Sequence, residues 1–328
     1  MSKTETATIA RHDADSPAPR GLWKHRNCSV ARTLDIIEDS WTFAVIREAF
    51  FGVHTFEKIR ENLGIPRATL TERLRRLVEF DILKKVAYSS SGKRFEYRFT
   101  RKGVELYPVM LALIKWGDDW LLEDRESPPL ALYHKSCGNW VRSKIVCSEC
   151  GGEIHAHDAT YRDGPGAGFD AEPVQKRNRR SRIRLGTRLG RGCSVGRSLD
   201  IIADRWTFMV MRETFFGIRR YDDFSHRLGI ASNILADRLQ RLVDHGLLRR
   251  EKYQTRPDRY EYRQTPMGAD LYGAYLTMIA WADKWLMDDR GLPLILHHKT
   301  CGKDFSVKVV CNYCNDPMDA WDVTGKGF

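Results

Sequence analysis

The 328-residue sequence contains two copies of one segment, and this duplication limits the folds that the chain can adopt. The copies begin at Cys28 and Cys193 and stay aligned at an offset of 165 residues, without a gap, as far as Arg125 and Arg290. Eighteen of the 25 positions from Cys28 to Gly52 are identical in the second copy. We therefore expect two domains of the same fold, whose differences indicate different roles.

The composition indicates a globular, basic protein without a membrane span. Hydrophobic residues make up 42% of the chain and charged residues 30%, which is enough for two ordinary cores. Apolar runs end well before the ~18 residues of a membrane helix, and the polar amino terminus lacks the apolar stretch of a signal peptide. We therefore predict a cytoplasmic protein with no membrane partner. The net charge of +11 favours a polyanionic partner.

A cluster of basic residues lies in the segment that joins the two copies. It follows the glycine-rich stretch that begins at Asp163, whose composition is typical of a linker. Such a cluster is either a solvated linker or an arm that lies along phosphates or in a narrow minor groove, and both alternatives stay open. Its members are Lys176, Arg177, Arg179, Arg180, Arg182, Arg184, Arg188 and Arg191.

Each copy has the order of elements that is typical of a winged helix. In the first copy, apolar residues at helical spacing predict two short helices, with Ser40 as a possible cap of the second. Two further helices meet at a tight turn at Gly64. Residues 82–88 and 94–100 alternate as hairpin strands do, and a long amphipathic helix is predicted over about 102–122. Such domains usually place the second helix of the pair in the DNA major groove.

An ordered set of residues in both copies resembles the HxlR family of bacterial winged-helix transcription regulators. In the first copy the set is Cys28-Ser29, Leu34-Asp35, Trp41-Thr42, Arg47-Glu48, Gly52, Phe56, Leu63-Gly64-Ile65, Leu70, Arg73-Leu74, Leu77, Tyr97, Thr100, Gly103 and Trp116-Gly117. In the second copy it includes Phe224, Leu228-Gly229-Ile230, Leu235, Arg238-Leu239, Gly246 and Gly268.

The resemblance covers about 200 residues across both copies. Two positions depart from the pattern: Asp81 stands where the second copy has the more typical Gly246, and Pro266 adjoins the start of the last helix of the second domain. We expect neither change to alter the fold, although the first wing is expected to differ in angle.

The outward positions of the two reading helices are the candidate base contacts. They are Arg67, Thr71 and Arg75 in the first copy and Ser232, Asn233 and Gln240 in the second. Arg67 has the geometry to contact guanine, and Asn233 or Gln240 to contact adenine, each with ~1–3 kcal/mol of discrimination. Alternatively, these side chains only solvate a helix face. Because these positions differ between the copies, we predict different half-site preferences and an imperfect palindrome or bipartite operator.

Basic residues that the copies share are the candidate phosphate contacts, since phosphates fix register irrespective of sequence. The wing hairpins add further cations to this group. The predicted contacts are Arg73, Arg76, Arg238 and Arg241 on the helices and Lys93, Arg94, Arg256 and Arg259 on the wings.

Tryptophans on the last helix of each copy suggest an interface. The resemblance implies dimers formed through terminal helices, so Trp116 and Trp120 are predicted to pack on Trp281 and Trp285 as an intramolecular pseudo-dimer. Their reading helices would then lie one DNA turn apart, about 34 Å. The alternatives are plain core residues or a homodimer of two chains with four reading helices.

Six of the eight cysteines follow a repeated metal-binding pattern. Each tail has a His-x-x-Cys pair followed, after nine residues, by a Cys-x-x-Cys pair, and soft thiolates with one imidazole suit tetrahedral zinc. We predict one structural zinc ion per tail, two per chain; disulfides or a metal-free ribbon are the alternatives. The predicted sets are His134, Cys137, Cys147 and Cys150, and His298, Cys301, Cys311 and Cys314.

The remaining cysteines, Cys28 and Cys193, each precede a predicted helix. A helix amino terminus favours a thiolate, and the resemblance implies that some relatives sense oxidants or electrophiles at this place. The alternative is a small buried residue that packs the start of the helix.

The predicted fold is mainly α-helical with small β elements, as two winged helix-turn-helix domains that each carry a zinc-ribbon-like hairpin module. The predicted boundaries are 1–27 for a disordered tail, 28–125 and 192–290 for the winged helices, 126–160 and 291–328 for the modules, and 161–191 for a basic linker.

We expect a sequence-specific regulator that binds double-stranded DNA, with a small-molecule or oxidant effector as a further possible partner. The resemblance implies a repressor. A non-specific DNA-binding or protein-binding module is the alternative, and purely phosphate-driven binding would distinguish it. An enzyme is not expected, because the sequence has no catalytic triad, P-loop or dinucleotide fingerprint, and four protein ligands leave zinc no open position.

Overall fold

The computed structural model describes residues 25–37, 39–88, 94–122, 128–170, 194–202 and 204–327. This part of the chain is mainly helical with short antiparallel strands. The helices of the first copy are α1 (Ser29–Ile36), α2 (Ser40–Phe50), α3 (Phe56–Leu63), α4 (Arg67–Glu79), α5 (Arg101–Val104) and α6 (Tyr107–Trp120). Those of the second copy are α7 (Ser194–Ile202), α8 (Arg205–Phe215), α9 (Tyr221–Leu228), α10 (Ser232–Asp244), α11 (Pro266–Asp270) and α12 (Tyr272–Trp285).

The strands form the two wings and the sheets of the tails. They are β1 (His25–Arg26), β2 (Leu83–Ala87), β3 (Phe95–Phe99), β4 (Leu130–His134), β5 (Asn139–Val141), β6 (Ser143–Cys147), β7 (Ala159–Asp163), β8 (Phe169–Asp170), β9 (Leu248–Thr255), β10 (Asp258–Gln264), β11 (Leu294–His298), β12 (Lys303–Asp304), β13 (Val307–Cys311) and β14 (Val323–Gly327). Among the described helices, none has both the length and the apolar character that crossing a membrane requires.

The predicted helix-turn-helix is present in both copies. The helix α3 ends at Gly64 and α9 at Gly229, with φ of 58° and 57°, a left-handed conformation that glycine adopts at little cost. The helices α4 and α10 then begin, and each buries a row of leucines at spacings of three and four. The cap of α2 is Asp39 rather than the predicted Ser40, because the Asp39 side chain accepts a hydrogen bond from the backbone of Thr42.

The predicted hairpins are also present, as β2–β3 and β9–β10. The single long helix predicted over 102–122 is instead two, α5 and α6, which are separated at Glu105 and Leu106. A glycine is required in α5 because an added Cβ at Gly103 would lie 2.0 Å from the backbone oxygen of Ile82. The turn before each wing is left-handed at Asp81 and at Gly246, so the substitution between copies keeps the turn.

The chain divides into two compact units that do not coincide with the two copies. One unit contains the winged helix of the first copy with the described parts of 33–144, together with α7 and residues 308–327. The other contains the winged helix of the second copy, within 204–307, together with residues 25–32 and 145–170. Each unit therefore combines the winged helix of one copy with terminal segments of the other.

The start of α1, as far as Arg32, and the whole of α7 each lie in the unit that contains the winged helix of the other copy. In one unit Ser29 Oγ donates to Asp283 Oδ1 at 2.5 Å, and the guanidinium of Arg32 donates to the backbone oxygen of Leu286 at 2.8 Å. In the other unit Ser194 Oγ donates to Asp118, and Ser198 Oγ donates to the backbone oxygen of Leu113 at 2.9 Å. Matched serine–aspartate pairs thus hold both exchanged helices.

The tail strands are exchanged in the same way. Strand β7 of the first tail pairs with β11 of the second in one unit, and β14 of the second tail pairs with β4 of the first in the other. The predicted separate modules at 126–160 and 291–328 are therefore wrong, because their strands pair across the two tails. The linker predicted from residue 161 is also wrong over its first part, since Tyr161 lies in β7 and Phe169 in β8, which pairs with β1.

Candidate nucleic-acid interface and metal centres

The first reading helix, α4, presents the three predicted base contacts to solvent. Arg67, Thr71 and Arg75 are all exposed. The Arg67 guanidinium, at the start of the helix, is 3.2 Å from Glu57 Oε1 and lies over the ring of Phe56. This weak surface ion pair is easily exchanged for a contact to a base or phosphate.

The charge of Arg75 is offset by two carboxylates on its own helix. Its guanidinium lies 2.9 Å from Glu72 and 2.7 Å from Glu79. The hydrogen bond from Arg75 is the main cause that lowers the pKa of Glu72. Arg75 therefore has to leave these partners before it can bind DNA.

The second reading helix, α10, presents polar side chains at the same places. Ser232, Asn233 and Gln240 are exposed. The Ser232 carbonyl accepts a hydrogen bond from the Tyr221 hydroxyl at 2.8 Å, and the Gln240 amide donates to Asp244 Oδ1 at 2.7 Å. Among the predicted base contacts, this helix therefore has no arginine where α4 has Arg67 and Arg75.

Arg73 and Arg238, which were predicted to contact phosphates, instead form internal ion pairs, so phosphate contact by these two residues is disfavoured by the structure and stays a prediction. The Arg238 side chain is only 8% exposed, and its Nε donates to Asp204 Oδ1 at 2.8 Å. Arg73 pairs in the same way with Asp39. Asp39 and Asp204 are the residues that cap α2 and α8. The shared arginines therefore attach each reading helix to the start of a neighbouring helix.

The other shared pair on the reading helices is half-buried. Arg76 donates from its guanidinium to the backbone oxygen of Asp35 at 2.9 Å and lies over the ring of Phe80. Arg241 holds the matching position in α10 and is also half-buried. Phosphate contact by these two residues stays a prediction.

The wings carry exposed cations, some of which the sequence analysis missed. Arg94, Arg256 and Arg259 are exposed as predicted, whereas Lys93 lies outside the described residues. The missed residues are Lys84 and Lys85 on β2 and Arg249 and Arg250 on β9, all exposed. They occupy matching positions 165 residues apart, so comparison of the two copies was the signal that could have identified them.

The eight predicted metal ligands form two clusters, but their pairing differs from the prediction. One cluster joins His134 and Cys137 of the first tail to Cys311 and Cys314 of the second. The other joins Cys147 and Cys150 of the first tail to His298 and Cys301 of the second. In each cluster the four ligand atoms lie within 4.8 Å of one another. The predicted grouping within each tail is therefore wrong. The exchanged strands place the His-x-x-Cys pair of each tail beside the Cys-x-x-Cys pair of the other tail.

The predicted thiol sensors are only partly described. Cys28 precedes α1 as expected, but it is 5% exposed. Burial lowers the pKa of the Arg212 guanidinium, whereas the adjacent Cys28 and Glu213 raise it, and the net effect is a raised pKa. Cys193 and the basic cluster from Lys176 to Arg191 lie outside the described residues.

The tryptophans of the last helices are partly core residues. Trp116 and Trp281 are buried, and Trp120 and Trp285 are half-buried. Contact between the helices α6 and α12 stays a prediction.

The unit that contains α2 and α6 also has a cavity of about 210 Å³. Its lining is mainly apolar, includes the Arg47 side chain, and is completed by the chain's last strand, β14, at Val323 and Gly325.

Comparison with known proteins identifies the winged helices. A family model described as an HxlR-like helix-turn-helix matches residues 36–125 and again residues 201–290, more than half of the chain. An uncharacterized HTH-type transcriptional regulator of Mycobacterium tuberculosis is 44% identical over 138 residues, which are 42% of this chain and 87% of that relative.

Two further regulators are more distant. An uncharacterized HTH-type transcriptional regulator of Synechocystis is 34% identical over 98 residues, 30% of this chain and 73% of that relative. Another, of Bacillus subtilis, is 30% identical over 110 residues, 33% of this chain and 86% of that relative. The chain therefore belongs to the HxlR-like helix-turn-helix family, whose members are DNA-binding transcription regulators and not enzymes, and it carries two copies of the family domain.

Proposed function

We propose that this chain is a sequence-specific transcription repressor whose two reading helices bind two different half-sites of one operator. One observation carries the proposal: the exposed positions of α4 and α10 differ between copies, whereas the inward positions are the same. Arg67 is exposed in the first copy where Ser232 is exposed in the second, while Arg73 and Arg238 form equivalent internal ion pairs. Exposed side chains are the ones free to discriminate between bases.

The two helices favour different base edges. Arg67 offers a charged guanidinium fork that fits the two acceptors of guanine. Asn233 offers an amide that fits the donor and acceptor of adenine. We infer that the half-site under α4 contains a guanine that Arg67 contacts, and that the half-site under α10 contains an adenine that Asn233 contacts.

Selection of bound sequences from a random DNA pool tests the proposal directly. The full chain is expected to recover a bipartite site with two unlike halves. The matched variants Arg67→Ala and Asn233→Ala are then expected to relax selection in one half each, with a loss of about 5–150-fold for the preferred base, as ~1–3 kcal/mol implies. A symmetric consensus, or relaxation of both halves by one variant, would contradict the proposal.

Repression requires a separate measurement. In transcription reactions in vitro, the full chain is expected to reduce transcript from a promoter that overlaps the selected site, and to leave a promoter without the site unchanged. An increase in transcript would identify an activator instead.

Binding without base readout is the competing possibility. The exposed wing cations Lys84, Lys85, Arg249 and Arg250 supply phosphate contacts of that kind. Titrations at several salt concentrations, with and without competitor DNA, separate the two. Purely electrostatic binding would weaken steeply with salt and show no preferred sequence.

A further inference from the structure

We propose that this chain holds two structural zinc ions, and that each ion is bound by the His-x-x-Cys pair of one tail together with the Cys-x-x-Cys pair of the other tail. The first site consists of His134, Cys137, Cys311 and Cys314, and the second of Cys147, Cys150, His298 and Cys301. The zinc ions would then connect the first copy of the domain to the second. This proposal does not depend on the proposed DNA readout.

The distances within the first site fit a tetrahedral zinc ion. Zinc at ~2.3 Å from sulfur and ~2.0 Å from nitrogen places sulfur atoms about 3.8 Å apart and sulfur about 3.5 Å from nitrogen. His134 Nδ1 lies 3.3 Å from Cys137 Sγ and 3.5 Å from Cys314 Sγ. The sulfurs of Cys137 and Cys311 are 4.0 Å apart, about twice the length of a disulfide bond, ~2.05 Å.

The second site repeats this geometry. His298 Nδ1 lies 3.2 Å from Cys301 Sγ and 3.5 Å from Cys150 Sγ. Cys147, the remaining ligand, is buried, as is the His298 ring. Two independent sets of side chains thus converge to the same spacing, which favours zinc over a chance cluster.

Backbone groups support a thiolate at the first cysteine of each Cys-x-x-Cys pair. The backbone N–H of Glu149 donates to Cys147 Sγ at 3.4 Å, and that of Tyr313 donates to Cys311 Sγ at 3.3 Å. Such donors stabilise the charged sulfur that zinc requires. The residue after each second cysteine then turns the chain through a positive φ, for example Gly151 at 72° and Asn315 at 62°.

A carboxylate lies next to the Nε2 atom of the imidazole in the first site. His134 is fully buried, and its Nε2 is 2.8 Å from Asp322 Oδ2. The other ring nitrogen, Nδ1, lies closest to the sulfurs of Cys137 and Cys314 and is the atom that would bind the zinc ion. Asp322 is itself held by Ser136, whose backbone N–H donates to Asp322 Oδ1 at 3.2 Å.

Four protein ligands leave no open coordination position, so both zinc ions are structural rather than catalytic. Each ion also closes a very long segment of chain, since the whole second copy of the domain lies between Cys137 and Cys311. A single copy of the domain with its own tail cannot build either site as the structure arranges it. Zinc binding therefore requires both copies in one folded chain.

Two double variants test the exchanged pairing. Each carries two Cys→Ser changes, and both include Cys137→Ser, so they differ only in the second cysteine that is replaced. The wild-type chain is expected to retain about two zinc ions after dialysis against a weak chelator. Cys137→Ser with Cys314→Ser removes two ligands from one site and is expected to leave one zinc ion. Cys137→Ser with Cys150→Ser damages both sites and is expected to leave none.

Pairing within each tail would give the reverse result, one ion for the second variant and none for the first, and would overturn the proposal. Iron, or no metal, in the wild-type chain would also overturn it. A second measurement uses the wild-type chain alone. After the metal is removed, a short bifunctional thiol reagent is expected to join Cys137 to Cys311 or Cys314; peptides that join Cys137 to Cys147 or Cys150 would contradict the proposal.

Discussion

Arg238, in the middle of a reading helix, donates a hydrogen bond from Nε to Oδ1 of Asp204 at 2.8 Å. The same aspartate caps α8 by accepting hydrogen bonds from the backbone of Trp206 and Thr207. One carboxylate thus joins the start of α8 to the middle of α10, and Asp39 does the same for Arg73. The helix cap therefore helps to fix the direction in which each reading helix points.

We expect Arg238→Ala to lower the free energy of unfolding by about 3 kcal/mol, because it leaves the partly buried Asp204 carboxylate without its partner. Urea denaturation of the full chain measures this change. Arg75→Ala is the matched control on an exposed arginine, 59% exposed, and should cost less than ~1 kcal/mol. If Arg238→Ala weakened DNA binding with unchanged stability, the arginine would be a phosphate contact after all.

The ion pairs that Arg73 and Arg238 form with aspartates show where prediction from the sequence reaches its limit. Arg73 and Arg238 are shared basic residues on reading helices, and by residue type alone they are typical phosphate contacts. Their partners, Asp39 and Asp204, are 34 residues away, and nothing in the local pattern pairs them. The helices and wings themselves were predictable because their periodicity and turn residues are local signals.

The His and Cys residues of the two clusters were identifiable for the same reason, but the pairing of these residues was not. The spacing of each His-x-x-Cys and Cys-x-x-Cys pair is a local property, whereas the choice of partner pair depends on which tail strands meet. Because the chain contains each pair twice, pairing within one tail and pairing across tails satisfy the same sequence pattern. Only the pairing of β14 with β4 and of β7 with β11 distinguishes them.

The exposed wing lysines provide a second prediction. We expect the double variant Lys84→Ala with Lys85→Ala to weaken binding to every DNA sequence by a similar factor, since phosphate contacts carry no base information. The slope of log affinity against log salt should fall by ~2, about one per lost contact. Fluorescence anisotropy at several salt concentrations measures both. Lys303→Ala, on the tail strand β12, is the control and should leave the slope unchanged.

The buried carboxyl of Asp118 gives a prediction about pH. Burial is the largest cause that raises the pKa of Asp118 to about 6, against the lowering effects of the Ser194 hydroxyl, Arg142 and Arg197, while Asp119 raises it further. This pKa exceeds the ordinary 3.8 of an unfolded aspartate. Between these two pH values the folded chain therefore binds a proton at Asp118 more tightly than the unfolded chain does. The contribution of Asp118 to stability is therefore largest at low pH and falls as the pH rises from about 4 to about 6.

We expect Asp118→Asn to abolish this loss of stability, which is on the order of 2–3 kcal/mol. Relative to the wild type, the free energy of unfolding of the variant should therefore be higher at pH 7 than it is at low pH. Urea denaturation at a series of pH values measures the difference. Asp119→Asn is the control, because Asp119 is partly exposed and paired with Lys115 at 2.7 Å. Parallel stability curves for the wild type and Asp118→Asn would show that folding does not shift the pKa of this carboxyl.

The burial of Cys28 predicts slow reaction with oxidants. The thiol is 5% exposed, so alkylation of the native chain should modify Cys28 much more slowly than after denaturation. Peptide mapping after timed alkylation measures the rate, with Cys28→Ser as the control for peptide assignment. Rapid native modification, together with an oxidant effect on DNA binding that Cys28→Ser abolishes, would instead support the sensing role.

The carboxylate behind His134 gives the last prediction. Asp322→Asn keeps the shape of the side chain but removes the negative charge 2.8 Å from His134 Nε2, so the metal affinity of the first site should fall about 10–100-fold. Asp158 holds the matching position in the first tail, but its carboxylate accepts from the backbone of His155 at 3.1 Å and lies 3.1 Å from the exposed His157. We therefore expect Asp158→Asn to affect metal affinity less. Competition of each variant with a zinc indicator measures both affinities, and equal losses would show that the two aspartates act alike on their histidines.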